Sequence, residues 1–403
     1  MPQRLHFFDL TRDELRERFA AMNMPAFRAD QVIDWVYRKN IADPALMLNL
    51  SKADRQRLAA TFRFTTGSIV RHQVATDGVQ KLLVQWEEEG EETGDRGQGT
   101  GDREQKTAGK NHDVALPLLS LPSNSKLETR NSELVSDPSR QTECVLIPVD
   151  DVEETGKRER RTACISSQVG CPVGCKFCAS GLGGLDGDLT AGRIIEQVWR
   201  LGTLEGVGRV SNVVFMGMGE PLANFTQVAK AIRTMNAEWG LGISARRITV
   251  STVGLPAQMR RLAELEIPVT LAISLHAPND ELRRQLIPWA QYVTIDQLLD
   301  AGDYYFEKTG REITLEYILL GGINDQPHHA QELASVANRL RANVNLIRYN
   351  EVKGLPFDRP HTNDVRDFQE VLREAGINTH IRASRGRDIA AACGQLRHEQ
   401  ATA

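Results

Sequence analysis

Within eight residues the chain places three cysteines, Cys171-Pro-Val-Gly-Cys175-Lys-Phe-Cys178. A four-iron cluster normally takes four thiolates, so a C-x3-C-x2-C triplet leaves one iron open for a substrate or cofactor. The competing reading is a structural zinc knuckle, which needs a fourth Cys or His in a second short pair. No such pair follows, and the iron–sulfur reading is preferred. Two further cysteines stand out. Cys164 lies seven residues before Cys171, and Cys393 sits far downstream in Arg385-Gly-Arg-Asp-Ile-Ala-Ala-Ala-Cys393-Gly-Gln-Leu. A lone cysteine is usually a small buried hydrophobe, but the arginines around Cys393 mark it as a candidate reactive thiol.

Such residues need a sizeable scaffold. At 403 residues, 41% hydrophobic and 25% charged, the chain suits one large α/β domain with a smaller one. It shows neither a signal peptide at its start nor a run of 18 apolar residues, so a cytoplasmic protein without membrane contact is expected. Its six cysteines then point to metal or redox chemistry rather than a disulfide framework. The net charge of −4 hides an uneven distribution. Residues 87–113 alone carry a net −5, which leaves the remainder slightly basic. Basic clusters there include Lys157-Arg158 with Arg160-Arg161, Arg246-Arg247, and Arg382 with Arg385 and Arg387. They would form a phosphate-binding face only if they converged on one mouth.

Residues 1–66 read as a helical accessory domain, with a capping-box spacing at Thr11 and Glu14 and apolar residues at helical intervals over 31–37. Residues 67–86 read as a strand-rich connector turning at Asp77-Gly78. From 87 to 140 the composition shifts to Gly, Glu, Thr, Asp, Ser and Asn, with a near repeat at Thr93 and Thr100, and a disordered insertion is expected. From 141 to 396 short apolar runs alternate with helical stretches, and 397–403 is a tail. Strands are predicted at 163–166, 210–215, 247–251, 269–275, 313–319, 344–348 and 379–382. Regular β-α alternation predicts parallel strands with right-handed crossovers, hence a full or partial (β/α) barrel with its chemistry at the C-terminal strand ends. A doubly wound sheet is the rival. No G-x-G-x-x-G after a first strand and no G-x4-G-K-[ST] supports it.

Several segments together resemble the RlmN/Cfr family of radical S-adenosylmethionine (SAM) RNA methyltransferases. They are Cys164-Ile-Ser-Ser-Gln-Val-Gly-Cys171 running on to Cys178, Gly217-Met-Gly-Glu-Pro-Leu222, Ser274-Leu-His-Ala-Pro-Asn-Asp280, Asn345-Leu-Ile-Arg-Tyr-Asn350, and Arg385 to Leu396. They run in the family's order over about 142–396. The stretch 179–190 departs from it, being glycine-rich where many relatives carry a Gln-Gly-Phe type sequence.

The resemblance implies a partial radical-SAM barrel in which Cys171, Cys175 and Cys178 hold a [4Fe-4S] cluster. It implies that Gly219, Glu220, Ser251, Ser274, Leu275, His276 and Asn350 bind SAM. Cys393 would be the cysteine that becomes methylated, Cys164 its redox partner and Glu143 a proton acceptor. The chemistry has a reason. An adenine ring carbon has a weakly acidic C–H and no free lone pair, so polar methyl transfer fails. In the implied route the Cys393 thiolate takes a methyl from one SAM. A second SAM, cleaved reductively at the cluster, gives a 5′-deoxyadenosyl radical that abstracts hydrogen from the S-methyl group. The resulting carbon radical adds to adenine, and loss of an electron and a proton with Cys164–Cys393 disulfide formation releases the product. Expected substrates are an unstacked adenosine of 23S rRNA at the peptidyl transferase centre and one in tRNA beside the anticodon. C2 methylation is preferred over Cfr-type C8 methylation, and a radical-SAM activating enzyme acting on a protein is the alternative from another class. A monomer served by an electron donor such as flavodoxin or ferredoxin completes the expectation.

Overall fold

Strand β1 (Leu5–His6) pairs in parallel with β2 (Phe62–Arg63), and between them run helices α1 (Arg12–Ala21), α2 (Phe27–Tyr37) and α3 (Lys52–Thr61). This is a computed structural model that describes residues 4–88, 137–151 and 158–396. Most of the 87–140 insertion, its near repeat at Thr93 and Thr100, and the 397–403 tail lie outside the described residues. The start of α1 follows from its sequence. Thr11 Oγ1 accepts from Glu14 N while Glu14 Oε2 accepts from Thr11 N, at 3.3 and 2.6 Å, so two end amides of the helix are satisfied reciprocally.

Among the described residues the main sheet has ten strands. An antiparallel side is built by β3 (Gly67–Val74), β4 (Gln80–Trp86) and β5 (Gln141–Asp151). The β3–β4 turn places Gly78 at φ 80°, a left-handed conformation that glycine takes without strain. Next to β5 lies β6 (Arg158–Cys164), followed across the sheet by β9 (Asn212–Phe215), β10 (Ile248–Thr252), β11 (Thr270–Ser274), β12 (Ile313–Leu319), β13 (Ala342–Arg348) and β14 (Thr379–Arg382). From β6 to β14 every adjacent pair is parallel. A separate hairpin, β7 (Gln168–Gly170) with β8 (Leu185–Asp188), follows β6. Crossovers are made by α4 (Ala191–Gly202), α5 (Phe225–Asn236), α6 (Pro256–Ala263), α7 (Asp280–Leu286) with α8 (Ile295–Thr309), α9 (Pro327–Ala337) and α10 (Thr362–Glu374).

The parallel strands never reverse their order, which excludes the doubly wound rival. Right-handed crossovers that all step the same way put every helix on one face and curl the sheet around the other. The result is the expected partial barrel. Its outer face is apolar, with Val213, Ile248, Val250, Leu271, Ile273, Leu315 and Leu346 in one core with the helices. That core also takes in Phe7, Phe8, Leu15, Phe19, Val36 and Leu58 of the N-terminal helical segment. The described residues up to Glu87 and from Asp137 onward form one compact unit. Inward positions alternate with the apolar ones and are polar, among them Ser251, Ser274, Glu316, Asn345 and Arg382.

Candidate active site

The three motif cysteines sit in the loop enclosed by the β7–β8 hairpin. Backbone bonds fix it: Cys171 N donates to Gly184 O at 2.7 Å, Cys178 N to Cys175 O at 3.1 Å, and Lys176 N to Leu286 O at 3.0 Å. Gly170, at φ 77°, closes the hairpin so tightly that a Cβ there would lie 2.0 Å from Gly184 O. All three cysteines line one cavity inside the barrel, and Gly219, Glu220, Ser251, Ser274 and His276 line it with them. Burial pushes the Cys171 thiol up to about 12 and raises those of Cys175 and Cys178.

The rest of the lining is set by strand ends. Gly219 follows β9 at φ 103°, and a Cβ there would lie 2.7 Å from Gln168 Cβ and Ser167 Oγ. Glu220 is buried, its carboxylate accepting from Leu222 N at 3.0 Å and Val253 N at 2.8 Å. Desolvation nevertheless lifts it to about 7. The hydroxyls of Ser251 and Ser274, at the ends of β10 and β11, stand 3.2 Å apart. His276 Nδ1 accepts from Ile318 N at 3.1 Å, so the ring proton belongs on Nε2; burial, with Arg283 nearby, drives its pKa down to about 3 and the ring is neutral. Leu275 is buried and lies outside the cavity lining, its carbonyl accepting from Arg283 Nε at 3.2 Å.

Cys393 lines this cavity and also a second one, whose walls include Cys164, Asn350, Arg160, Arg382 and Arg385. The C-terminal segment is tied down beside the cluster loop: Ala179 N donates to Gly394 O at 2.8 Å, Ser180 Oγ donates to Leu396 O, and Asn350 Nδ2 donates to Cys393 O at 3.2 Å. Asn350 therefore holds the Cys393 backbone. Cys164, at the end of β6, is a buried thiol pushed up to about 12 by burial and then by Cys393, with Arg382 acting the other way. All six cysteines are free thiols. Arg382 lines the same cavity as the pair, 3.3 Å from Glu316 Oε2, while Asn345 Nδ2 donates to Glu316 Oε1 at 3.0 Å. Its guanidinium is raised first by Cys393 and then by Glu316.

Glu143, on β5, is buried in an ion pair with Lys81 at 2.7 Å and lines neither cavity. Of the basic clusters, Arg160, Arg382 and Arg385 do meet at the second cavity. Arg246 and Arg247 precede β10 and belong to the other end of the sheet. Sequence reasoning missed Glu316, Arg283 and the inward role of Arg382. For Glu316 there was a signal, one acidic residue inside the apolar run of β12.

The donor set fits a cluster with one open iron. Among the described residues no three His, Cys, Asp or Glu side chains gather tightly enough to hold a single ion. A cube asks for something else, three sulfurs on three different irons. The lining around Glu220 fits the amino-acid end of SAM, since Glu220 is a buried carboxylate that burial raises to about 7 and that an ammonium would favour in its charged form.

A parallel barrel holding three cluster cysteines beside such a lining defines a radical SAM enzyme. The sequence profile of the radical SAM superfamily matches residues 165–334, and that of the ribosomal RNA large subunit methyltransferase N-terminal domain matches 5–63. The chain is 38% identical over 392 residues to a probable dual-specificity RNA methyltransferase RlmN of Dictyoglomus thermophilum, covering 97% of this chain and 95% of that one. A protein of the same description from Synechococcus sp. (strain CC9311) is 40% identical, with 97% of each chain covered. The crystal structure of a radical SAM methyltransferase from Sphaerobacter thermophilus superposes with a TM-score of 0.81 at 36% identity, covering 98% of this chain and all of that one. The chain belongs to the RlmN family of radical SAM RNA methyltransferases, enzymes that use a [4Fe-4S] cluster and SAM.

Proposed function

We propose that this enzyme methylates C2 of adenosine in 23S rRNA and in tRNA, by way of a methyl group carried on Cys393. One observation carries the reading: Cys393 belongs to the walls of two cavities at once, one lined by the cluster cysteines and the other by Cys164 and three arginines. A carrier must face the source of the radical on one side and the RNA on the other.

Each residue then has a task. Cys171, Cys175 and Cys178 hold the cluster; Glu220 takes the SAM ammonium, while Ser251, Ser274, Gly219 and His276 shape the rest of its cleft. With SAM bound, the cluster supplies one electron and hence the radical that activates the S-methyl group. Leu275 acts through its backbone, and Asn350 keeps Cys393 at the junction. Arg160 and Arg385 meet the RNA backbone at the cavity mouth, where electrostatic contact positions without reading sequence. Glu143 accepts the proton lost from the adenine carbon by relay rather than by contact, since it is paired with Lys81 and lines neither cavity. After the adduct has lost one electron, the Cys164 thiolate attacks the Cys393 sulfur and closes a disulfide; the electron pair of the broken sulfur–carbon bond passes to the transferred methylene, which takes up a proton and becomes the methyl group. An electron donor such as flavodoxin or ferredoxin supplies the electron for SAM cleavage, and an external reductant restores both thiols with two electrons and two protons, in a cytoplasm that is itself reducing. No helix among the described residues is long and apolar enough to cross a membrane.

The test is to modify both RNAs with cluster-loaded enzyme and separate the nucleoside products. The expected product is 2-methyladenosine from each; 8-methyladenosine alone would replace this reading with the Cfr-type reaction.

A further inference from the structure

Arg283 is a charged side chain with no accessible surface. It lies on α7, where Nη2 donates to Val253 O at 2.5 Å and Nε to Leu275 O at 3.2 Å, with a longer approach of Nη1 to Val293 O at 3.4 Å. All three acceptors are carbonyls. Among the described residues no carboxylate lies within ion-pair distance; Asp280, one turn earlier, favours the charge only from farther off while its Oδ1 accepts from Ile295 N. Burial draws the guanidinium down only to about 10, so it remains a cation at neutral pH. An uncompensated ion in a protein interior costs several kcal/mol, and buried charges are accordingly paired or bound to a group that neutralises them.

The missing partner has an address. The group that most favours the Arg283 charge is Cys175, and α7 is pinned to the cluster loop by the bond from Lys176 N to Leu286 O. Three thiolates outweigh the dipositive core of an oxidised four-iron cluster, and reduction adds one more negative charge. We propose that Arg283 is the fixed counter-charge of the cluster, favouring its reduced form and so setting how readily the electron for SAM cleavage enters. It acts through the cluster as a positioning residue, and the inference rests on the assignment of Cys171, Cys175 and Cys178 as ligands. Arginine suits the place better than lysine because its planar fork also ties the carbonyl after β10 to the one after β11, the two strand ends that carry Ser251 and Ser274.

The experiment uses the full chain, reconstituted without oxygen, as wild type, Arg283→Lys, Arg283→Gln and Arg283→Met. Iron and sulfide content and the electron paramagnetic resonance of the reduced cluster are read first, then a redox titration. At a fixed poise the neutral variants should hold about ten-fold less reduced cluster than wild type, a midpoint lower by 59 mV for one electron. Arg283→Lys should stay within about two-fold of wild type, since about 0.4 kcal/mol is all that such a ratio represents. Gln keeps donors for the carbonyls and Met fills the apolar volume, so either carries the neutral arm if the other fails to fold. Neutral variants that fold yet hold no cluster, while Lys holds it, also support the proposal. Neutral variants that titrate with wild type, or a Lys variant shifted as far as Gln, overturn it. A wild type that binds no cluster removes the ligand assignment itself, a separate failure visible at the first step.

Discussion

Cys393 is shared by the cavity of the three motif cysteines and by the cavity that holds Cys164, with Arg382 lining both. Replacing Cys393 by Ala should leave cluster content unchanged and reduce RNA methylation below detection, as measured by label transfer from methyl-labelled SAM. Cys164→Ala should keep Cys393 methylation but stall release, leaving RNA covalently attached to protein on a denaturing gel. At Glu220, Gln removes the charge from a buried hydrogen-bonded contact worth about 1.5–3 kcal/mol. SAM should then bind roughly ten- to a hundred-fold more weakly to cluster-loaded protein, read by equilibrium binding. Glu143→Gln should spare Cys393 methylation and lower the yield of methylated RNA; equal loss of both would make Glu143 merely structural. The cysteine triplet was legible in sequence because its spacing is local, and Glu220 was pointed to by the family resemblance of Gly217-Met-Gly-Glu-Pro-Leu222. Arg283 was not. It is one of two adjacent arginines on a short helix, and nothing in Glu281-Leu-Arg-Arg-Gln-Leu286 says which one is buried. Arg382 read as part of a surface cluster with Arg385 and Arg387, whereas strand alternation turns it inward to Glu316.

At the scale of elements, the seven parallel strands and six of the crossover helices were readable from periodicity. Strand β5 was not, because its partner β4 lies across the insertion and pairing between distant segments leaves no local trace. Helix α7 is seven residues long, too short to show a period. The junction between the N-terminal helical segment and α4 was equally hidden. There Glu196, wholly buried, accepts from Thr66 N, Thr66 Oγ1 and Gly67 N, while His6 Nε2 lies 3.1 Å from its Oε2, close enough for an ion pair though not aligned as a hydrogen bond. Burial lowers the His6 pKa, but contacts with Asp9 and Glu196 outweigh it and the net shift is upward from 6.5. Burial likewise opposes the shifts of Asp9 and Glu196, which end below 3.8 and 4.5 through His6 and their hydrogen bonds. The raised histidine stabilises fully below about pH 6.5 and loses that contribution as pH rises through its folded value; the carboxylates contribute above about 4.5 and lose it as pH falls. The stability lost in His6→Ala, by denaturant unfolding, should therefore be largest near pH 5–6 and smaller at pH 8. A penalty that is flat with pH would assign the site to packing alone.

At the scale of the molecule, one apolar core joins the N-terminal helices, the antiparallel strands and the barrel, while both cavities open on the inner side of the parallel sheet. The insertion joins β4 to β5, which are paired neighbours with Gln85 opposite Gln141. Replacing residues 91–136 by a short hairpin loop should therefore leave folding, cluster content and SAM cleavage within about two-fold of the intact chain. Loss of folded protein would show the segment to be structural. The central claim is that Cys393 carries the methyl group, and the direct measurement is peptide mapping by mass spectrometry after anaerobic expression with ample iron. One S-methyl group is expected on wild-type Cys393, and none in a Cys178→Ala variant that cannot complete the cluster. An unmodified Cys393 in cluster-loaded, SAM-competent protein would contradict the carrier mechanism.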